Sequence, residues 1–96
     1  MKVTINQNLI NTICDQEGIV YLGLFGSQAR GDAKKASDVD LLVNFKQTKS
    51  LFQLVRIQEK LEGAFDKKVD LVLDTSIKEL LKPYILKDLV TLYGKK

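Results

Sequence analysis

The sequence predicts an α/β (α+β) fold in which helices and strands alternate around one small sheet. Three observations carry that expectation. Two short runs rich in apolar β-formers, IVYLGLF at residues 19–25 and DVDLLVNF at 38–45, read as strands. Between the second run and a third, KVDLVLD at 68–74, lies LFQLVRIQEKLEGAF at 51–65, whose apolar residues recur at helical spacing. With 96 residues the chain has enough material for one core and too little for two, so a single domain over residues 1–96 is expected.

Taken in order, residues 6–16 form a first helix with Leu9, Ile10, Ile13 and Cys14 on one face, and Gly18 stops it. Residues 19–25 are almost wholly apolar, as in a strand buried on both faces. Residues 38–45 form the second strand. The helix at 51–65 sets Leu51, Leu54, Val55, Gln58 and Leu61 near one face. After the third strand, SIKE places Ser76 at an N-cap and Glu79 three residues later, a capping box that opens a last helix. Pro83 interrupts that pattern, so the helix kinks or restarts there. LVTLYG then reads as a short fourth strand, with a helix tail as the alternative.

Composition removes whole classes of chemistry. There is no histidine and one cysteine, which excludes imidazole catalysis, an internal disulfide and a cysteine-built zinc site. Cys14, on the apolar side of the first helix, reads as a small core residue. The net charge of +3 comes from scattered lysines, with weak clusters at Lys34 and Lys35, Lys67 and Lys68, and Lys95 and Lys96. No basic stripe with interleaved aromatics marks a nucleic-acid groove. No apolar run reaches the roughly 20 residues of a membrane span, and the first residues lack a secretory leader's apolar stretch. A cytoplasmic protein with no membrane and no direct nucleic-acid partner is expected.

Two acids stand where a strand should be apolar. Residues two apart in a strand share a face, so Asp38 and Asp40 project together, roughly 7 Å apart at the backbone. At that separation two like charges repel by roughly 2–3 kcal/mol at an effective dielectric near 20. A divalent cation would neutralise them, and hard carboxylate oxygens suit Mg²⁺ or Mn²⁺. Asp70, in VDLVL, is a third acid embedded in an apolar strand. If its strand pairs beside the second, three carboxylates meet at one sheet edge, enough for two metal ions. The site therefore depends on Asp70 meeting the other two.

Upstream, the first strand ends in a turn at Gly26 and Ser27. Gly26 admits close approach of a ligand, Ser27 can cap a short helix, and N–H groups at that start can bind phosphate. Rival phosphate motifs fail: GSQARGD spaces two glycines as a Walker A loop does, but Asp32 replaces the required lysine. DVDLLV lacks the further ligands and glycine of a calcium loop.

Gly26 and Ser27, ten intervening residues, then Asp38-x-Asp40 matches the GS-x₁₀-D-x-D signature of the DNA polymerase β-like nucleotidyltransferase superfamily. Within it the chain resembles the minimal nucleotidyltransferases, the MNT or MntA-like proteins, through GSQARG…SDVDLLV, the later VDLV and the terminal KPYI…LYG. Gln28 stands where arginine is frequent in that group, which leaves the role of its side chain open.

The resemblance implies a small mixed β-sheet packed against helices, the polymerase β-like fold. It implies that Asp38, Asp40 and Asp70 bind two Mg²⁺ ions (Mn²⁺ as the alternative), with Asp70 beside the attacking hydroxyl. Gly26 and Ser27 would hold the triphosphate of ATP, the substrate. Arg30 would contact phosphate or lock the turn by pairing with an acid, and Ser37 would orient the loop or touch phosphate. MNT proteins are paired with HEPN-domain toxins, so the resemblance implies a hetero-oligomer in which AMP passes to a toxin tyrosine. Two other readings stand beside it: an antitoxin that acts by binding alone, and nucleotidyl transfer to a small molecule.

Overall fold

The computed structural model describes residues 5–31 and 38–95. Helix α1 (Gln7–Glu17) starts where the Asn6 side chain accepts from the Leu9 N–H. It ends at Gly18, whose left-handed backbone returns an N–H to the Cys14 carbonyl. Strand β1 (Ile19–Phe25) runs into a single helical turn, α2 (Ser27–Arg30), and strand β2 (Val39–Phe45) follows. Helix α3 (Leu51–Phe65) leads to strand β3 (Val69–Leu73), a 3-10 turn at Asp74–Ser76, helix α4 (Lys82–Asp88) and strand β4 (Val90–Gly94). LVTLYG is thus a strand, as the β-formers in it favour.

The four strands lie in the order β3-β2-β1-β4. β1 is antiparallel to both β2 and β4, while β2 and β3 are parallel. A parallel pair needs a long crossover, which α3 supplies. The sheet is therefore mixed. One face carries the core: Ile10, Ile13 and Cys14 of α1 and Ile57, Leu61 and Phe65 of α3 cover Leu22, Leu24, Val39, Leu41, Val43, Val69 and Leu92. Cys14 is fully buried there, and burial pushes its thiol up to about 12, which suits a packing residue and not a nucleophile.

By strand alternation Asp40 and Leu42 point to the opposite face, away from α1 and α3. Leu42 is fully buried there, and Leu89 at the end of α4 packs so closely over Gly23 that a methyl group at Gly23 would strike it. Glu17, 6% exposed, closes the outside of the helix pair by accepting from Arg56 (2.9 Å) and Lys60 (2.7 Å) of α3. Its two cations hold its carboxyl below the usual range against the opposing effect of burial, with Lys60 the larger influence.

Three expectations change. The capping box at Ser76 does not form: Ser76 ends the 3-10 turn, Ile77 is extended, and α4 begins only at Lys82 with Pro83 in its first turn. A continuous helix from residue 77 would drive the proline ring against the carbonyl of Glu79, so the chain restarts with the proline where its missing N–H costs nothing. The same motif does form at Ser50 and Gln53, where the serine accepts from the Gln53 N–H and the glutamine side chain accepts from the Ser50 N–H. On α3 the buried stripe is Ile57, Leu61 and Phe65, leaving Leu51 74% exposed and Val55 exposed; Leu9 of α1 is exposed too. A 100° step from Leu61 reaches Ile57 and Phe65 but leaves Leu51 and Val55 at the margin. Lastly, Asp38 lies one residue before β2, not within it.

Candidate active site

Strand directions decide what meets what. β1 is antiparallel to β2, so Phe25, the last residue of β1, sits opposite Asp40 near the start of β2. β2 is parallel to β3, which puts Asp70 directly beside Asp40 as its register partner. The start of β4 joins the same end of the sheet, with Val90 across from Leu24. The turn at Gly26 and the acids of two strands therefore share one edge, although Asp40 and Asp70 lie 30 positions apart in the sequence. Val69 faces the core and Asp70 does not, so Asp70 shares its face with Asp40.

Gly26 is the joint between turn and strand. Its backbone (φ 77°, ψ −156°) lies in a region open to glycine alone, and a Cβ there would collide with Oδ2 of Asp40. Its carbonyl accepts from the N–H groups of both Ala29 and Arg30, which winds α2 into its single turn. Ser27, the first residue of that turn, is half-buried beside it. Gln28 turns inward, 5% exposed, so the residue that departs from the MNT pattern belongs to the interior.

The carboxylates feel one another. Asp40 is half-buried, and burial raises its pKa above the ordinary value, the charges of Asp70 and Asp38 raise it further, and Arg30 opposes them. Asp38 and Asp70 are exposed. Among the described residues no three His, Cys, Asp or Glu side chains are placed to hold a metal ion, so it is the strand register that brings Asp40 and Asp70 together against their repulsion. Hard oxygen donors crowded beyond what their own charge favours fit a divalent cation of the Mg²⁺ or Mn²⁺ kind.

Arg30 donates from Nη1 to Oδ2 of Asp88 at 2.9 Å, which supports the pairing of this arginine with an acid. Asp88 was not singled out in the sequence. A signal was there: it is the last residue of α4, where the helix dipole disfavours a negative charge, so an acid at that place wants a partner. Ser37 lies outside the described residues. A cleft of about 300 Å³ runs between α3 and β3, lined by Leu51, Leu54, Val55, Gln58, Leu71, Leu73 and Ser76.

The family model described as Polymerase beta, Nucleotidyltransferase matches residues 7–96. This chain belongs to that nucleotidyltransferase family. Within it the chain is an MntA-like minimal nucleotidyltransferase. It is 40% identical over 73 residues to the protein adenylyltransferase MntA of Thermococcus cleftensis, covering 76% of this chain and 74% of that one. A Methanocaldococcus jannaschii protein that carries the name putative protein adenylyltransferase is 43% identical over 75 residues, covering 78% of this chain and 81% of that one. A crystal structure of a toxin–antitoxin with AMP-PNP superposes with a TM-score of 0.78 at 26% identity, covering 96% of this chain and 76% of that one. The mixed four-stranded sheet with its helices is the polymerase β-like nucleotidyltransferase fold.

Proposed function

We propose that this chain is a metal-dependent adenylyltransferase that moves AMP from ATP to a hydroxyl of a partner HEPN-type toxin, a tyrosine hydroxyl, and so acts as the antitoxin of a cytoplasmic toxin–antitoxin pair. The observation that carries the reading is the contact of Gly26 with the Asp40 carboxylate, Asp70 standing in register beside it. On this reading that closeness brings the turn that takes phosphate against the pair that takes the cations. The names of the relatives support the transferred group, and the toxin–antitoxin neighbour with AMP-PNP supports both nucleotide and partner.

Each residue then has a task. Gly26 and Ser27 take the triphosphate at the turn, the glycine by leaving room and the serine by its hydroxyl. Asp38 and Asp40 hold the divalent cations, and Asp70 completes the set from the next strand. When bound, the cations supply charge neutralisation at the attacking and leaving oxygens. Asp70 takes the proton of the acceptor hydroxyl on a carboxylate oxygen. The acceptor oxygen bonds to the α-phosphorus as the bridging bond to the β-phosphate breaks, and pyrophosphate leaves in line. Asp38 and Asp70 are exposed, which leaves the acceptor side of the site open to a partner.

Incubation of the protein and its toxin with labelled ATP and Mg²⁺ is expected to label the toxin, and the D38N/D40N variant to leave it unlabelled. A toxin neutralised without any label would overturn the catalytic reading in favour of binding alone.

A further inference from the structure

We propose that Glu62 is a positioning residue for the cation site: from the last turn of α3 it grips the start of β3 and holds Asp70 beside Asp40. The inference rests on the reading of the aspartates as a cation site.

The backbone pattern shows why β3 needs such a grip. Among the described residues it is an edge strand, paired to β2 alone. In a parallel pair, a residue bonds to the two neighbours of its register partner and leaves that partner's own N–H on the far side. Val39 is paired with Val69, and its N–H donates to the Lys68 carbonyl at 2.8 Å. The Val69 N–H therefore faces the outer edge of the sheet. There it donates to Oε2 of Glu62 at 3.1 Å. The strand is thus held on both sides just ahead of Asp70.

Glu62 is half-buried and stands where its helix dipole disfavours an anion, so the helix itself does not account for an acid there. The charge of Asp70 raises the pKa of Asp40, so the two carboxylates push the starts of β2 and β3 apart. The end of an edge strand opens at small cost. Anchored to α3, whose Ile57, Leu61 and Phe65 lie in the core, β3 resists that push. A cation then meets Asp40 and Asp70 already placed.

The test reads Mn²⁺ binding to the protein without ATP, by loss of the free-ion spin-resonance signal, and AMP transfer to the toxin partner at varied Mg²⁺. E62A is expected to weaken Mn²⁺ binding about tenfold and to raise the half-saturating Mg²⁺ by a similar factor, the loss usual when a group that orients metal-holding residues is removed. At saturating Mg²⁺, kcat and the KM for ATP are expected to stay near wild type. E62Q keeps an oxygen acceptor and is expected to recover most of the loss. In a D70N background, E62A is expected to add nothing further. If E62A does not fold, E62L takes its place in each comparison, since it keeps the bulk and lacks the acceptor.

Wild-type Mn²⁺ binding in E62A or E62L would overturn the proposal, even if the melting temperature falls, because that fall marks a structural role. Equal losses in E62A and E62Q, or losses that simply add in the double variant, would overturn it too. If instead D38N/D40N binds Mn²⁺ as wild type does, the cation-site reading itself fails, whatever Glu62 does.

Discussion

At the residue scale, Gly26 and Asp40 constrain one another at the site, and each gives a distinct expectation. Alanine at Gly26 meets both a backbone region closed to it and the Asp40 carboxylate. G26A is expected to lower AMP transfer at least about a hundredfold, because a displacement of about 1 Å at a reacting centre is enough for that. Strain at such a backbone costs about 1–3 kcal/mol, so the melting temperature should fall as well. Asp40 behaves in the opposite sense. Its folded pKa is raised, so its contribution to stability is present below the ordinary carboxylate value and lost as pH rises through the folded one. At neutral pH with a chelator, D40N is therefore expected to melt above wild type while transferring no AMP. Added Mg²⁺ should raise the wild-type melting temperature and narrow that gap. Equal melting temperatures in chelator would show that Asp40 carries no such burden.

At the element scale, two helix starts with the same motif separate local signal from tertiary context. Ser50 caps a helix whose next four turns have a core to pack on, whereas Ser76 precedes a segment whose Leu80 and Leu81 are exposed and whose Pro83 forbids continuation. S50A is expected to cost about 1 kcal/mol in denaturant unfolding and S76A to fall within about 0.5 kcal/mol of wild type. The clamp between α1 and α3 adds a pH signature. Glu17 has a lowered pKa, so its stabilisation is complete above the ordinary carboxylate value and vanishes as pH falls through the lower folded value. E17Q should thus be less stable than wild type by about 1–2 kcal/mol at pH 7, and the difference should close on acidification below about pH 4.5.

At the scale of the whole molecule, order and type of the elements were legible because each carries its own periodicity and its own stop. The strands 19–25 and 39–45, the helix 51–65 and the end at LVTLYG all follow from local composition. The grouping of Gly26, Ser27, Asp38 and Asp40 was legible from spacing, since two adjacent elements bring them together. Asp70 was legible only on the condition that its strand pairs beside β2, which no local pattern states and the register now supplies. Asp88 was not legible as a partner of Arg30, because that contact depends on where α4 docks. The buried stripe of α3 was misplaced for a related reason: Leu51 and Val55 are as apolar as Ile57, and only the sheet beneath chooses among them.

The parallel pairing of β2 and β3 also has a kinetic meaning. A hairpin can close locally, but these two strands meet only after α3 has formed and looped the chain back, a non-local step with a high loop-closure cost. Asp40 and Asp70 are thus expected to become neighbours late, with the repulsion between them outweighed by the apolar contacts around Val39, Leu41 and Val69. A cation that needs both acids would find no partly folded chain to bind. Its stabilisation would then fall on the unfolding rate, leaving the folding rate nearly untouched.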